Sequence, residues 1–162
     1  MNWSIRPGRD DDSWELIALI GACWGEYPGC VMDVHGECPD LLAPARAYGD
    51  AGGRLWVATD PGGVVVASVA TRPLPDAASD LERLYVAPRA RRQGLARRLV
   101  DLVESNGRQA GASRVELWSD TRFTSAHALY RSLGYQPTGQ VREQHDRSDT
   151  VEHHFVRPLL QG

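Results

Sequence analysis

No apolar run in the sequence approaches the roughly 20 residues that a membrane-spanning helix requires. The N-terminal stretch from Met1 to Pro7 also lacks the apolar core of a secretory signal peptide. These two absences favour a cytoplasmic protein without a membrane partner. A basic surplus is missing as well, because the formal net charge is −3, and this argues against a general nucleic-acid binder.

Cysteine is scarce and irregularly spaced. Cys23, Cys30 and Cys38 form an odd set, and the chain contains no Cys-x-x-Cys pair. With no export signal, an odd count predicts free thiols. Their nearness to His35 admits a zinc site as an alternative, but the long, irregular spacings do not match structural zinc sites, so we expect no metal.

A chain of 162 residues without internal repeats suits one domain, residues 1–162. Hydrophobic periodicity and turn residues predict strands at 3–6, 54–59, 64–71, 81–87, 114–118, 135–142 and 150–156. Helices are predicted from Ser13 onward, from Asp40 to Tyr48, from Gln93 to Asn106 and from Thr124 to Leu133. This order predicts a mixed α/β sheet with helices on both faces. A Rossmann fold is disfavoured because its glycine fingerprint belongs near the N-terminus.

The first long helix follows the acidic run from Asp10 to Asp12, which suits a helix start. A helix is predicted to follow, because Trp14, Ile17, Ala18 and Gly21 recur at helical spacing. The next segment, residues 25–39, is predicted to be a loop.

The segment from Leu84 to Leu99 carries the strongest chemical signal. A strand ends at Pro88, a short basic loop follows, and an amphipathic helix begins near Gln93. The first turn of a helix has unpaired N–H groups and positive dipole character, so it can bind phosphate. Gly94 and Ala96 are small enough for a close approach, and Arg91, Arg92 and Arg97 add positive charge. The alternative is a solvated basic helix start with no ligand.

Two motifs in this order resemble one family. The run Arg91-x-x-Gly94-x-Ala96 after Leu84-Tyr85-Val86 resembles the coenzyme A signature (R/Q-x-x-G-x-G/A) of the GNAT superfamily of N-acetyltransferases. The run from Phe123 to Tyr135 is similar to that family's penultimate helix, which usually ends in Leu-Tyr-x-x-x-Gly-Phe. Phe123 stands where the family often has asparagine, and Ala96 replaces the last glycine of the signature.

The resemblance implies a GNAT fold, an α/β fold with a mixed central sheet of about six to seven strands flanked by about four helices. It also implies that acetyl-CoA is the cosubstrate and that an amine is the acceptor. The backbone of Leu84 and Val86 would pair with the pantetheine arm, and the strand pair would splay apart after Val86. The cofactor-binding residues implied by the resemblance are Leu84, Tyr85, Val86, Arg91, Arg92, Gln93, Gly94, Leu95, Ala96 and Arg97.

Two residues are candidates for proton transfer. The resemblance implies that Tyr130 protonates the departing thiolate, and a phenol stays protonated near neutral pH. The alternative is a packed aromatic. Glu82 is the candidate base, because strand alternation predicts Glu82, Leu84 and Val86 on one face. Its alternative is a surface ion pair with an arginine such as Arg83.

Histidines are rivals for the base because their pKa lies near neutrality. His127 is the nearest of them in sequence to Tyr130, and His145, His153 and His154 are weaker rivals on the last hairpin.

The family usually forms the acceptor pocket from the loop between the first two helices. Here that loop offers Trp24, Tyr27, Asp33 and Glu37, which together could hold a cationic amine. The alternative is a mobile loop. Two further functions stay open: a sensor that binds acetyl-CoA without catalysis, and a domain whose basic helix contacts an acidic protein. A homodimer is expected through exposed strands, with the C-terminal strand as one candidate.

Overall fold

A seven-stranded sheet forms the centre of the protein in the computed structural model, which describes residues 2–160. The strands are β1 (Ser4–Pro7), β2 (Arg54–Thr59), β3 (Val65–Leu74), β4 (Ala78–Val86), β5 (Arg114–Asp120), β6 (Gln136–Glu143) and β7 (Val151–Pro158). Their order across the sheet is β1-β2-β3-β4-β5-β7-β6. Within it, β4 and β5 are parallel and the other neighbouring pairs are antiparallel. This mixed sheet confirms the predicted fold class and rules out a Rossmann arrangement.

Five α-helices surround the sheet: α1 (Ser13–Trp24), α2 (Val34–Glu37), α3 (Pro44–Asp50), α4 (Leu95–Gln109) and α5 (Thr124–Ser132). Short 3₁₀ helices lie at Asp10–Asp12, Pro39–Leu42 and Pro88–Ala90. The predicted loop at 25–39 therefore contains one helical turn. None of the helices in the described range 2–160 is both long and apolar enough to cross a membrane.

Each face of the sheet has its own helix layer and its own core. Leu99 on α4 and Tyr130 on α5 share one core with Val69 and Leu117 of the sheet. Helices α1 and α3 pack on the opposite face, where Ile20 and Tyr48 share a second core. We call these the α4 face and the α1 face.

The helix predicted after Asp12 is present as α1, but none of the four residues that mark its helical spacing is fully buried. Trp14 is 78% exposed, whereas Leu16, Leu19, Ile20 and Cys23 are buried. The buried positions also follow helical spacing, so α1 has apolar residues on more than one side. Contact with the sheet, rather than the pattern itself, decides which side is buried.

Strands β4 and β5 form a fork. They pair only at the start of each strand, where Ala78 to Asp80 lie beside Arg114 to Glu116. Beyond Asp80 the two strands separate, and the edge of β4 has no β5 partner along residues 81–86. The predicted splay after Val86 was therefore placed too late, because the strands diverge six residues earlier. The fork exposes backbone hydrogen-bonding groups that another extended molecule could pair with.

A β-bulge in β4 changes which side chains share a face. The register with β3 shifts between the pair Ala70–Glu82 and the pair Ser68–Tyr85, and Arg83 at the shift has a φ of 55°. Opposed residues share a face, so Glu82 and Tyr85 lie together on the α1 face. Leu84 and Val86 instead pack on the α4 face. The prediction that Glu82, Leu84 and Val86 share one face was wrong for this reason.

The C-terminal strand is not a free edge. β7 lies between β5 and β6, and within the described chain the outermost strands are β1 and β6. The predicted C-terminal dimer strand is therefore corrected, since β7 is paired along both sides.

Candidate active site

A cavity of about 410 Å³ lies at the fork. Its lining comes from both arms of the fork, from α5, from the segment between α1 and α3, and from the hairpin β6–β7. Tyr130 reaches it from the α4 face, whereas Asp80 and Glu82 belong to the α1 face. The opening between β4 and β5 therefore connects the two sides of the sheet at this point.

The turn before α4 presents backbone N–H groups at one end of the fork. Gly94 has a φ of 76° and Arg92 a φ of 60°, so both adopt the left-handed conformation in this short turn. The N–H of Arg98 donates to the carbonyl oxygen of Gly94, which leaves the preceding N–H groups of the first turn to other partners. A Cβ atom at Gly94 would meet no heavy atom within 4 Å, so this end of the helix is open to a ligand.

The predicted cofactor-binding side chains divide into engaged and free groups. The guanidinium of Arg91 donates to both carboxylate oxygens of Glu26, at 2.8 and 2.6 Å, and to the carbonyl oxygen of Val86. Gln93 accepts from the indole N–H of Trp3 at 3.2 Å. Arg92 and Arg97 are exposed and form no ion pair within residues 2–160. Arg91 therefore holds the turn against the segment that follows α1, and Arg92 and Arg97 are the side chains free to bind phosphate.

Tyr130 is both a packed aromatic and a side chain that faces the cavity, the two alternatives predicted for it. Its ring packs against Tyr135 and Phe155, each with a centroid distance of 5.9 Å. It also lines the cavity and is 6% exposed. Burial, followed by the neighbouring Tyr85, raises the pKa of Tyr130 above its usual range, so the hydroxyl is protonated at neutral pH.

Glu82 lines the cavity and forms an ion pair with Arg72. The Arg72 Nε donates to a Glu82 oxygen at 2.7 Å, and a second bond makes the contact bidentate. The predicted alternative partner, Arg83, instead donates twice to Asp40, at 3.0 and 2.8 Å. Arg72 therefore engages both carboxylate oxygens of Glu82 with charge-assisted bonds.

Asp80 is a second carboxylate on the same side, two residues before Glu82 and before the bulge. It lines the cavity at the vertex of the fork, where its backbone lies opposite that of Glu116 in the ladder between β4 and β5. Burial, followed by the negative charge of Glu82, raises the pKa of Asp80 to about 8. A group that titrates near neutral pH and faces a cavity suits general base catalysis. Sequence analysis missed Asp80, although its two-residue spacing from Glu82 was a usable signal.

His127 lies within hydrogen-bonding distance of Ser119. Its Nε2 is 3.1 Å from the Ser119 Oγ, and the ring also bonds to the backbone carbonyl of Asp120. Burial, opposed by the bond to Asp120, lowers the pKa of His127, so the ring is neutral at pH 7. Ser119 lines the cavity but His127 does not, which places the histidine behind the serine.

The other three candidate histidines lie outside the lining of the cavity. The His154 Nε2 lies 2.7 Å from a Glu116 oxygen, and the ring of His153 lies 5.8 Å from that of His127. His145 is exposed in the turn between β6 and β7. None of these three lines the cavity.

Two of the four predicted acceptor residues reach the cavity. Trp24 lines it and donates its indole N–H to the Tyr85 hydroxyl at 2.8 Å. Glu37 lines it as well, whereas Tyr27 packs on Phe123 at 4.8 Å. Asp33 does not line the cavity and caps α2 by accepting from the N–H of Gly36 at 3.0 Å.

The loop after α1 contacts the β6–β7 turn and completes one wall of the cavity. Ser148 accepts from the N–H of Val31 at 2.7 Å and donates to its carbonyl oxygen at 3.1 Å. Nearby, Glu37 accepts from the N–H of Arg147 at 2.8 Å. These bonds join segments more than 100 residues apart, which is why local sequence patterns did not reveal this wall.

Three further cavity residues come from the C-terminal half. The guanidinium of Arg142 lies 4.4 Å from the ring centroid of Trp118, and its Nε donates to Glu152 at 2.7 Å.

In residues 2–160, no group of three or more His, Cys, Asp or Glu side chains is placed to hold a metal ion. Cys23, Cys30 and Cys38 are free thiols.

Known proteins with similar sequences include N-acetyltransferases. The chain is 35% identical over 130 residues to N-acetyltransferase 8F1 of Rattus norvegicus, covering 77% of this chain and 56% of that protein. It is 34% identical over 123 residues to N-acetyltransferase 8 of Homo sapiens, covering 72% and 52% respectively. The chain thus spans about half the length of the curated relatives it matches.

Solved structures share the fold. A GNAT-family acetyltransferase from Staphylococcus aureus Mu50 superposes with a TM-score of 0.84 at 20% identity, covering 98% of this chain and 100% of that one. A phosphinothricin acetyltransferase from Sinorhizobium meliloti, solved in complex with AcCoA, has a TM-score of 0.75 at 16% identity, with 100% and 91% covered. The sequence pattern of the Acetyltransferase (GNAT) family matches residues 16–135. This chain therefore belongs to the GNAT family of acetyltransferases.

Proposed function

We propose that this protein transfers an acetyl group from acetyl-CoA to a primary amine of a small molecule or peptide by direct attack of the amine. The fork is the observation that carries this proposal. It brings an unpaired strand edge, a protonated tyrosine and a carboxylate pair to one cavity, and the open N-terminus of α4 follows the same strand. Membership of the GNAT family supports acetyl-CoA as the cosubstrate.

Acetyl-CoA would lie along the α4 face of the fork. The free edge of β4 at Leu84 to Val86 offers backbone groups to the extended pantetheine arm. The N–H groups of residues 92–97 and the helix dipole would hold the pyrophosphate, with Arg92 and Arg97 supplying charge. Leu95 and Ala96 contribute through their backbone, since Leu95 itself is buried.

The amine would approach from the α1 face. We propose that the pair Asp80–Glu82 supplies the base, with Asp80 as the carboxylate that accepts the proton directly or through water, because Glu82 is already held by Arg72. The Tyr130 hydroxyl would then protonate the departing thiolate. The remaining acceleration would come from holding the amine and the thioester together.

The carboxylate pair distinguishes catalysis from sensing. A protein that only senses acetyl-CoA needs no proton acceptor on the acceptor side of the fork, and a half-buried carboxyl with a raised pKa costs stability once it ionises. Release of free CoA thiol, measured with a panel of amines, tests the choice directly. Saturable acetyl-CoA binding with no thiol release for any amine would favour the sensor.

The chain offers a matched pair of glycines for testing the cofactor site. Gly94 and Gly111 both have positive φ, 76° and 81°, and a Cβ at either meets nothing within 4 Å. Gly94→Glu would place negative charge beside the proposed pyrophosphate site, whereas Gly111→Glu lies beyond the other end of α4. We expect both variants to lose similar stability and Gly94→Glu alone to lose acetyl-CoA binding, measured by thermal shift. Equal affinities in the two folded variants would refute the site.

Three expectations from the sequence remain predictions. They are that residues 1–162 form one domain, that the protein is cytoplasmic and that it dimerises. For the dimer we propose β6 as the contact strand in place of β7, because β6 lies at the edge of the sheet and is exposed along its whole length.

A further inference from the structure

The cavity at the fork is rich in carboxylates. Six of its lining residues are acidic and two are basic. The acidic ones are Glu37, Asp80, Glu82, Asp120, Asp146 and Glu152, and the basic ones are Arg83 and Arg142. Ion pairs with residues outside the lining change this balance, so each carboxylate must be assigned its partner before the charge of the cavity can be judged.

Three of the six are neutralised. Glu82 pairs with Arg72, Asp120 with Arg122 at 2.7 Å, and Glu152 with Arg142. The other three, Glu37, Asp80 and Asp146, form no ion pair within the part of the chain that the structure describes, residues 2–160. Asp146 is stabilised instead by backbone N–H groups, including that of Thr150 at 2.8 Å.

Neither arginine of the lining is free to attract an anion. Arg83 is held by two bonds to Asp40, outside the lining. Arg142 lies over Trp118 and pairs with Glu152. An anionic acceptor would therefore meet the carboxylates of Glu37 and Asp146 with no free cation of the lining to offset them, whereas a cationic acceptor would meet unpaired negative charge.

The unpaired carboxylates stand at two places. Asp80 lies at the vertex of the fork, where the reacting amine would be activated, and its raised pKa keeps it mostly uncharged at neutral pH, so the unpaired negative charge comes from the other two. Glu37 and Asp146 lie in or beside the wall where the loop after α1 meets the β6–β7 turn, and both are half-buried. An acceptor that places its reacting amine at the vertex would direct its other end towards this wall.

We infer that the acceptor is a small diamine, that is, a primary amine with a second cationic group at its far end. This inference rests on the proposed function, since it names the acceptor class of the same cavity. Selection acts on the distal charge, which Glu37 and Asp146 attract.

The test compares acceptors that differ only at the far end. For each chain length from three to six carbons, the series contains a diamine, the matching n-alkylamine and the matching ω-amino acid. Thiol release gives kcat/KM, and mass spectrometry identifies the N-acetyl product. The sequence contains no lysine, so the protein contributes no lysine amine as a background acceptor.

At its best length, we expect the diamine to have a kcat/KM about tenfold or more above that of the alkylamine, with the amino acid lowest. The preference should shrink as salt rises from about 0.05 to 0.5 M, because partly exposed charges are screened. Glu37→Gln should reduce it severalfold. Glu143→Gln, which removes the same charge from an exposed β6 position outside the cavity, should leave it unchanged.

The outcomes separate the two claims. Equal rates for diamine and alkylamine, or a preference for the amino acid, would overturn the acceptor class while leaving acetyl transfer intact. No thiol release with any amine, despite acetyl-CoA binding, would overturn the proposed function itself. A diamine preference that Glu37→Gln and Glu143→Gln reduce equally would mean that overall charge, not the cavity, selects the acceptor.

Discussion

The Asp80→Asn substitution tests the base assignment most directly. Asparagine keeps the size of the side chain but cannot accept the amine's proton. General bases typically contribute about 10²–10⁴-fold to the rate, so we expect kcat to fall by that order while acetyl-CoA affinity stays near wild type.

The pH dependence supplies the magnitude. Because burial and Glu82 raise the pKa of Asp80 to about 8, about one tenth of the carboxyl is ionised at pH 7 and about nine tenths at pH 9. The wild-type kcat should therefore rise about tenfold over that interval. The assay is thiol release at saturating acetyl-CoA and amine, since kcat reports groups in the enzyme–substrate complex.

Glu82→Gln is the paired variant. Removing the negative charge beside Asp80 should lower the pKa of Asp80, so the midpoint of the profile should move to lower pH while most of the rate at high pH remains. If Asp80→Asn keeps full kcat and the same profile, and Glu82→Gln abolishes turnover, the base is Glu82 and the reasoning from its ion pair with Arg72 fails.

The same titration has a consequence for folding. The folded state holds the Asp80 proton to about pH 8, whereas the unfolded chain releases it near the ordinary pKa of 3.8. Stability from this group is complete below the unfolded value and is lost as pH rises through the folded value. The free energy of unfolding of Asp80→Asn, measured with denaturant and compared with that of wild type, should therefore be more favourable to the folded state at pH 9 than at pH 4.

Two further predictions concern α5. Tyr130→Phe should lower kcat about 10²–10⁴-fold with little change in acetyl-CoA affinity. The control is Tyr135→Phe, because the Tyr135 hydroxyl donates to Glu104 at a distance of 3.3 Å and lies outside the cavity, so its loss should reduce stability but not turnover. A fully active Tyr130→Phe enzyme would show that the acid is another group. Because burial lowers the pKa of His127 below that of the unfolded chain, its contribution to stability is complete above about pH 6.5 and is lost as pH falls. His127→Gln should flatten that loss in urea titrations between pH 7 and 5, and an unchanged slope would contradict the shift.

Local patterns predicted the cofactor side of the fold well. The stretch from Leu84 to Leu99 has a strand, a turn with small residues and an amphipathic helix, and each depends mainly on residues close in sequence. The helix carrying Tyr130 was found for the same reason. The wall formed by Glu37, Arg147 and Ser148 could not be, because it depends on hydrogen bonds between distant segments.

The bulge at Arg83 explains the main error in the site. Strand alternation carries a side-chain assignment from one residue to the next, and a single inserted residue reverses every assignment beyond it. Nothing in the run Leu81-Glu82-Arg83-Leu84 announces that Arg83 adopts a positive φ. Its two bonds to Asp40 hold it there, and Asp40 lies 43 positions earlier in the chain.

That bulge also has a functional meaning. Before it, Asp80 and Glu82 face the α1 side, where the amine would enter; beyond it, Leu84 and Val86 face the α4 side, where acetyl-CoA would lie. Tyr130 comes from the α4 side and meets the cavity through the fork. The amine's proton would therefore leave on one face of the sheet while the thiolate is protonated on the other. A base and an acid that reach the cavity from opposite faces favour two separate groups over a single shuttling one.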